Sequence, residues 1–279
     1  AVGTLSDEDE YVYRGSAYLF DADPDSPTFG QQLTQLTPTD GGSDDRFGYC
    51  VALGSGIVAV GARENDENGF DSGSAYLFDA NPESPTFGQK LTKLLADDGS
   101  PIDRFGTAIA LYGGLVAVGA PNDGDQGAAS GSVYLFDSDR TSPSFGQQLS
   151  KLLPDDGAAE SCFGDSVAIH GGRVAAGAPY AYASGVPASG SAYLCDADPA
   201  STTFGMQVAK LLPDDLAEDD EFGVSVALYE GTAVAGSWFD DDVACETGSA
   251  YLFEIGSSCV ADLAEPTGVL NFDDVLAFL

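Results

Sequence analysis

One hexamer, GSAYLF or a close variant, recurs along the whole chain and constrains the fold more than any other feature. Its copies begin at Gly15, Gly73, Gly131, Gly190 and Gly248, so successive copies are 58 or 59 residues apart. A Phe-Gly pair recurs with the same period, at Phe47, Phe105, Phe163 and Phe222. The spacing predicts a tandem array of one structural unit.

Each full unit contains four short apolar runs, for example FGYCVAL, IVAVGA, GSAYLFDA and QKLTKLL. The runs are rich in β-branched and aromatic residues and are bounded by Gly, Pro, Asn and Asp, which is typical of strands joined by turns. No helical period occurs inside the repeat. Each unit is therefore predicted to be a four-stranded antiparallel meander.

A lone meander with apolar residues on both faces cannot bury itself, so successive units must pack face to face. Radial packing gives a β-propeller, and a linear β-solenoid is the competing architecture. We predict an all-β propeller of about five blades within residues 1–255, followed by a linker and short helical tail over residues 256–279. The expected blades cover residues 1–45, 46–103, 104–161, 162–220 and 221–255. The first and last blades are expected to be incomplete.

Four segments carry a family resemblance: RFGYCVALGSGIVAVGA, RFGTAIALYGGLVAVGAP, CFGDSVAIHGGRVAAGAP and EFGVSVALYEGTAVAGS. They resemble FG-GAP repeats, the unit of the integrin α-chain propeller. The resemblance covers residues 1 to about 255. It implies an extracellular or cell-surface propeller used for adhesion or assembly. In the integrin-type repeat a DxDxDG calcium loop joins the first two strands, whereas here that turn is GSG, YGG, HGG or YEG.

The charge of the chain restricts its partners. There are 45 Asp and Glu residues against 10 Lys and Arg, a net charge of -35. Nucleic acids and anionic membranes require a positive surface, so both are disfavoured. No run of eighteen apolar residues occurs, so membrane insertion is not expected. The expected partners are other copies of the chain, or another cell-surface protein or polysaccharide.

Acidic loops between the second and third strands offer oxygen ligands of the kind that Ca²⁺ prefers. The candidate metal ligands are Asn65, Asp66, Glu67, Asn68, Asn122, Asp123, Asp125, Asp240, Asp241 and Asp242. No cluster has the twelve-residue spacing of an EF-hand, and solvated turns are the competing interpretation.

The tail ADLAEPTGVLNFDDVLAFL resembles half of a dockerin-like calcium module that opens at Asp262. Ala264 and Pro266 stand where oxygen ligands would be expected, so calcium binding is not carried over. An apolar stripe ends the tail and predicts docking on the propeller or on another subunit. The expected assembly residues are Val275, Leu276, Phe278 and Leu279.

Catalysis receives little support from the sequence. His170 is the only histidine, so no Ser/His/Asp set exists, and the five cysteines lack the spacing of a zinc site. Cys245 and Cys259 bracket one predicted strand and are a candidate disulfide pair. A self-assembling, non-enzymatic propeller is the favoured interpretation. The alternatives are a monomeric cation-dependent adhesin and a carboxylate-based glycoside hydrolase.

Overall fold

A computed structural model of the chain describes residues 1–4, 14–240 and 247–255, together with the backbone of residues 269–270. All regular structure in these residues is β-strand, arranged as five consecutive sheets. No helix capable of spanning a membrane is found in the described part of the chain. The predicted all-β class is confirmed.

The five sheets follow one another along the sequence. Sheet 1 contains β1 (Val2–Thr4), β2 (Ser16–Phe20) and β3 (Gln32–Leu36), and sheet 2 contains β4 (Phe47–Gly54), β5 (Ile57–Ala62), β6 (Ser74–Asp79) and β7 (Lys90–Leu94). Sheet 3 contains β8 (Ala108–Tyr112), β9 (Leu115–Ala120), β10 (Ser132–Asp137) and β11 (Gln148–Leu152). Sheet 4 contains β12 (Ser166–His170), β13 (Arg173–Ala178), β14 (Ser191–Asp196) and β15 (Gln207–Leu211). Sheet 5 contains β16 (Ser225–Tyr229), β17 (Thr232–Ser237) and β18 (Ser249–Glu254).

Strands that are adjacent in sequence are adjacent in each sheet, which is the meander topology of a propeller blade. Sheets 1 and 5 have three such strands among the described residues, as the incomplete first and last repeats predict. A short strand, β19 (Val269–Leu270), pairs in parallel with the edge strand β15. The predicted helical tail, the assembly residues Val275, Leu276, Phe278 and Leu279, and the cysteines Cys245 and Cys259 lie outside the described residues.

The turn between the first and second strands is a tight two-residue hairpin turn. Ser55 and Gly56 between β4 and β5 both have positive φ, and so do Gly113 and Gly114 between β8 and β9. Two successive positive φ values define a type I′ turn, whose twist matches that of the flanking strands. A loop of the integrin calcium type therefore has no room at these positions.

The chain divides into two compact units, residues 1–118 with 136–148 and residues 119–135 with 149–279. Within each unit an apolar core lies between consecutive sheets. In the first unit Phe47, Tyr76 and Phe78 of sheet 2 pack on Leu19 and Leu36 of sheet 1. In the second unit the core joins sheets 4 and 5 and includes Ala175, Ala192, Leu194, Ala209, Leu211, Phe222, Ala233, Ala235, Phe253 and Ile255.

Candidate functional site

Three of the predicted metal ligands occupy one position of the repeat, three residues after the strand that ends in Gly-Ala or Gly-Ser. They are Asn65, Asp123 and Asp240, and each is buried, with 3 to 5% of its surface exposed. A buried carboxylate needs hydrogen-bond donors or a cation. The partners of these three side chains therefore decide what the loops can bind.

Asp123 is surrounded by donors from its own repeat. Its Oδ1 accepts a hydrogen bond from Ser132 Oγ at 3.0 Å, and its Oδ2 accepts one from Tyr134 Oη at 2.8 Å. Lys151 Nζ lies 3.1 Å from Asp123 Oδ2 and 2.7 Å from Asp125 Oδ2. The lysine ammonium thus bridges two predicted metal ligands. A cation that bound both carboxylates would have to displace it.

The four candidates in the first cluster have different partners. Asn65 Nδ2 donates to Asp45 Oδ2 at 2.8 Å. Glu67 Oε2 lies 2.9 Å from Lys93 Nζ, while Asp66 accepts a hydrogen bond from the Asp71 backbone amide. Asn68 Nδ2 donates to the Ala96 carbonyl oxygen, at 3.3 Å. These side chains attach the loop to surrounding elements. The Asn65 amide donates a hydrogen bond to the Asp45 carboxylate, so these two side chains bind each other and do not form a pair of metal ligands.

The third cluster is described only in part. Tyr251 Oη lies within hydrogen-bond distance of Asp240 Oδ2 and 3.0 Å from Asp215 Oδ1, so its single proton is donated to one of these two carboxylates at a time. Burial and the two carboxylates raise the pKa of Tyr251, so the phenol stays protonated. Asp241 and Asp242 lie outside the described residues, and Asn122 of the second cluster is half-buried.

A second family of buried carboxylates was missed by the sequence analysis. Asp79 ends β6, and its Oδ2 accepts hydrogen bonds from Ser84 Oγ and Thr86 Oγ1, each at 2.5 Å. Its Oδ1 accepts one from the Asn81 backbone amide at 3.0 Å. The same loop, Asp followed by Ser or Thr five and seven residues later, recurs at the buried Asp137 and Asp196 and at Asp21, which is only partly buried. Its signal in the sequence is the repeated D-x-x-x-x-S-x-[ST] spacing.

The charge of Asp79 is strongly stabilised. Burial alone would raise its pKa, but the hydrogen bonds from Ser84, Thr86 and Asn81 and the ion pair with Arg140 hold the pKa well below its usual range. Arg140 Nη1 lies 2.9 Å from Asp79 Oδ2. The carboxylate therefore fixes the loop between β6 and β7, and its hydrogen-bonding capacity is used within the chain. The role of Asp79 is therefore structural.

The contact between consecutive sheets depends on a close approach of backbones. The backbone amide of Phe222 donates to the carbonyl of Ser189 in the preceding repeat, at 3.0 Å. A Cβ on Gly177 of β13 would lie 1.8 Å from the carbonyl oxygen of Gly223, so only glycine fits. The same approach joins Gly3 to Gly48, Gly61 to Gly106 and Gly119 to Gly164. The Phe-Gly pair is thus the group that docks on the preceding sheet.

In sheet 5, the residues equivalent to those that receive the Phe-Gly pair in earlier sheets lie on an exposed face. Leu252 is 65% exposed, whereas Leu77, Leu135 and Leu194 at the same position of earlier repeats are fully buried. Gly236 occupies the position of Gly177, and among the described residues no Phe-Gly pair of a following repeat lies against it as Gly223 lies against Gly177. We call Val234, Gly236, Gly248, Ala250 and Leu252 the open face.

The chain belongs to the FG-GAP repeat family. The family model matches four times, at residues 31–78, 89–136, 147–195 and 206–253, which together are more than half of the chain. A comparison with curated proteins finds no match. The family and the five meander sheets together define a β-propeller repeat protein of the integrin-α kind.

Proposed function

We propose that this chain is a non-enzymatic extracellular protein with a structural or adhesive role, and that it assembles with other chains through its incomplete end blades. The observation that carries the proposal is the open face. An apolar surface that is buried in every earlier repeat is 65% exposed at Leu252. Exposed apolar patches and unpaired sheet surfaces are typical of sites that bind another chain.

The absence of a catalytic role is also part of this proposal. The buried carboxylates Asp79 and Asp123 lie at positions that recur with the repeat, and both accept hydrogen bonds from side chains of their own blades. A general acid or base needs a carboxylate oxygen that can reach the substrate, whereas the oxygens of these carboxylates already accept hydrogen bonds within the fold. Integrin-type propellers support the same interpretation by analogy.

Light scattering of the full chain over a range of concentrations tests assembly. We expect higher-order species that grow with concentration, and we expect Leu252→Asp to remove them, because a charge on the open face cannot be buried unpaired. Phe278→Asp is the matched variant for the predicted tail contact. A monodisperse monomer at all concentrations would refute assembly.

Adhesion to a cell-surface protein or polysaccharide is the second candidate, and one further observation favours it. Trp238 and Phe239 are 62% and 41% exposed, and their ring centroids are 6.5 Å apart. Exposed aromatic side chains are frequent anchors of binding surfaces. Trp238→Ala should weaken adhesion to cells or to immobilised polysaccharide without changing the particle mass, whereas equal adhesion by the variant would eliminate this candidate.

A further inference from the structure

The open face of sheet 5 has the shape of a binding site for one particular kind of strand. In sheet 4 the corresponding surface is covered by sheet 5 itself, with Phe222 and Phe253 packed on Leu194 and Ala192. In sheet 1 it is covered by Phe47 and Phe78 of sheet 2. The same contact therefore recurs in both units, and its covering element always includes a Phe-Gly strand.

The fifth sheet keeps the features that receive such a strand. Gly236 and Gly248 stand where Gly177 and Gly190 stand in sheet 4. A Cβ on Gly190 would lie 2.1 Å from the Phe222 carbonyl oxygen, so that glycine is required by the docked strand. At Gly248 the nearest atoms are carbonyl oxygens of its own repeat, at 3.0 Å. At the two glycines of sheet 5, the atoms that a Cβ would meet belong to the same repeat, and no described residue of another repeat is among them.

We propose that the open face binds the Phe-Gly first strand of an FG-GAP repeat carried by a partner chain. The strand would place its phenylalanine over Leu252 and Ala250, and its glycine against Gly236. This inference rests on the proposed assembly role and names the chemistry of the joint. The occupant is an extended, apolar Phe-Gly segment, bound by the contact that already joins sheets 4 and 5.

Charge complementarity favours a strand that begins with a basic residue. The chain has a net charge of -35, and two of its own first strands begin with arginine before the Phe-Gly pair, at Arg46 and Arg104. A synthetic peptide of residues 104–112, RFGTAIALY, is therefore a suitable probe. Its matched control carries Gly106→Ala, because a Cβ at Gly106 would lie 2.4 Å from the Ser74 carbonyl oxygen of the sheet it contacts.

Fluorescence anisotropy of the labelled peptide with the full chain tests the inference. We expect saturable binding of RFGTAIALY, and binding weakened about tenfold or more by Gly106→Ala in the peptide or by Gly236→Ala in the protein. Leu252→Asp should also remove binding, and Phe70→Asp, at an exposed loop residue of the second repeat, should not. Absence of binding, or equal binding of both peptides, would overturn the inference.

Two further outcomes separate the inference from the function on which it rests. If the chain assembles in light scattering but the peptide does not bind, the Phe-Gly inference fails and the assembly role stands. If the peptide binds to a chain that remains monomeric, the binding site stands and self-assembly fails. Binding of a peptide of residues 266–279 in place of RFGTAIALY would assign the face to the chain's own tail and overturn the partner.

Discussion

The same substitution at two equivalent glycines should have very different effects on stability. Gly177 in β13 and Gly236 in β17 occupy one position of the repeat. In both cases a new Cβ would lie 2.5 Å from a serine Oγ of the neighbouring strand, Ser166 or Ser225. Only the Cβ at Gly177 would also lie 1.8 Å from a backbone atom, the carbonyl oxygen of Gly223.

The size of each stability change depends on whether the atom that the new Cβ meets can move away. A serine hydroxyl can turn to another rotamer, so Gly236→Ala should change the free energy of unfolding by about 0.5 kcal/mol or less, as at ordinary surface positions. The Gly223 carbonyl belongs to the strand segment that docks on sheet 4, so Gly177→Ala must displace that backbone. We expect overpacking of this kind to destabilise the chain by about 3 kcal/mol.

Urea unfolding and scanning calorimetry measure the difference between the two variants. At about 2–4 °C per kcal/mol for a domain of this size class, Gly177→Ala should lower Tm by roughly 6–12 °C, and Gly236→Ala by at most about 2 °C. Equal losses in the two variants would refute the reasoning, because they would show that the shared serine contact dominates. A small loss at Gly177 would show that the sheets are not joined by this close approach.

Three further predictions concern titratable side chains. Because the folded-state pKa of Asp79 lies below its usual value, its contribution is complete above about pH 5 and is lost as the pH falls through that lowered pKa. In Asp79→Asn the urea midpoint should therefore fall less steeply with decreasing pH than in the natural sequence. The same pH dependence in both proteins would contradict this. Burial raises the pKa of the Cys50 and Cys195 thiols to about 12, so iodoacetamide at pH 8 should leave both unmodified until the chain is unfolded. Mass spectrometry of the native protein checks this, and rapid alkylation would contradict it. Lys151→Met should cost about 1–3 kcal/mol in urea unfolding, since it leaves Asp123 without its ammonium. Calcium should then raise the Tm of the variant more than that of the natural sequence, and an equal rise in both would contradict the displacement argument.

The fold was predictable because its signals are local and repeated. The period of 58 or 59 residues fixes the unit, and the tight turns, each of which contains glycine, fix the strand pairing within it. The role of the Phe-Gly pair was not predictable in the same way. Its glycine is required by the backbone of the preceding repeat, since a Cβ on Gly223 would lie 2.4 Å from the carbonyl oxygen of Ser191, and the sequence spacing does not show which atoms approach.

The partners of the candidate metal ligands were also beyond the sequence. Asp123 and Asp125 have the appearance of an oxygen cage, but the lysine that bridges them follows 28 residues later in the chain. The spacing of the acidic residues does not show that Lys151 lies close to both carboxylates in the folded chain. Calcium binding at these loops stays a prediction, and it now has a specific competitor in Lys151.

This acidic chain has few cationic side chains, so most of its carboxylates need other partners. With 10 Lys and Arg for 45 Asp and Glu, most acids must rely on water or on hydrogen bonds. Some of the cations lie at buried carboxylates, as Arg140 does at Asp79 and Lys151 at Asp123, whereas others pair with exposed carboxylates, as Lys210 does with Asp156. Where a cation is missing, hydroxyls replace it, as Tyr251 does at Asp240. Exposed acids repel one another across most of the surface, so the proposed assembly requires a place where apolar residues interrupt that charge, and the open face around Leu252 is such a place.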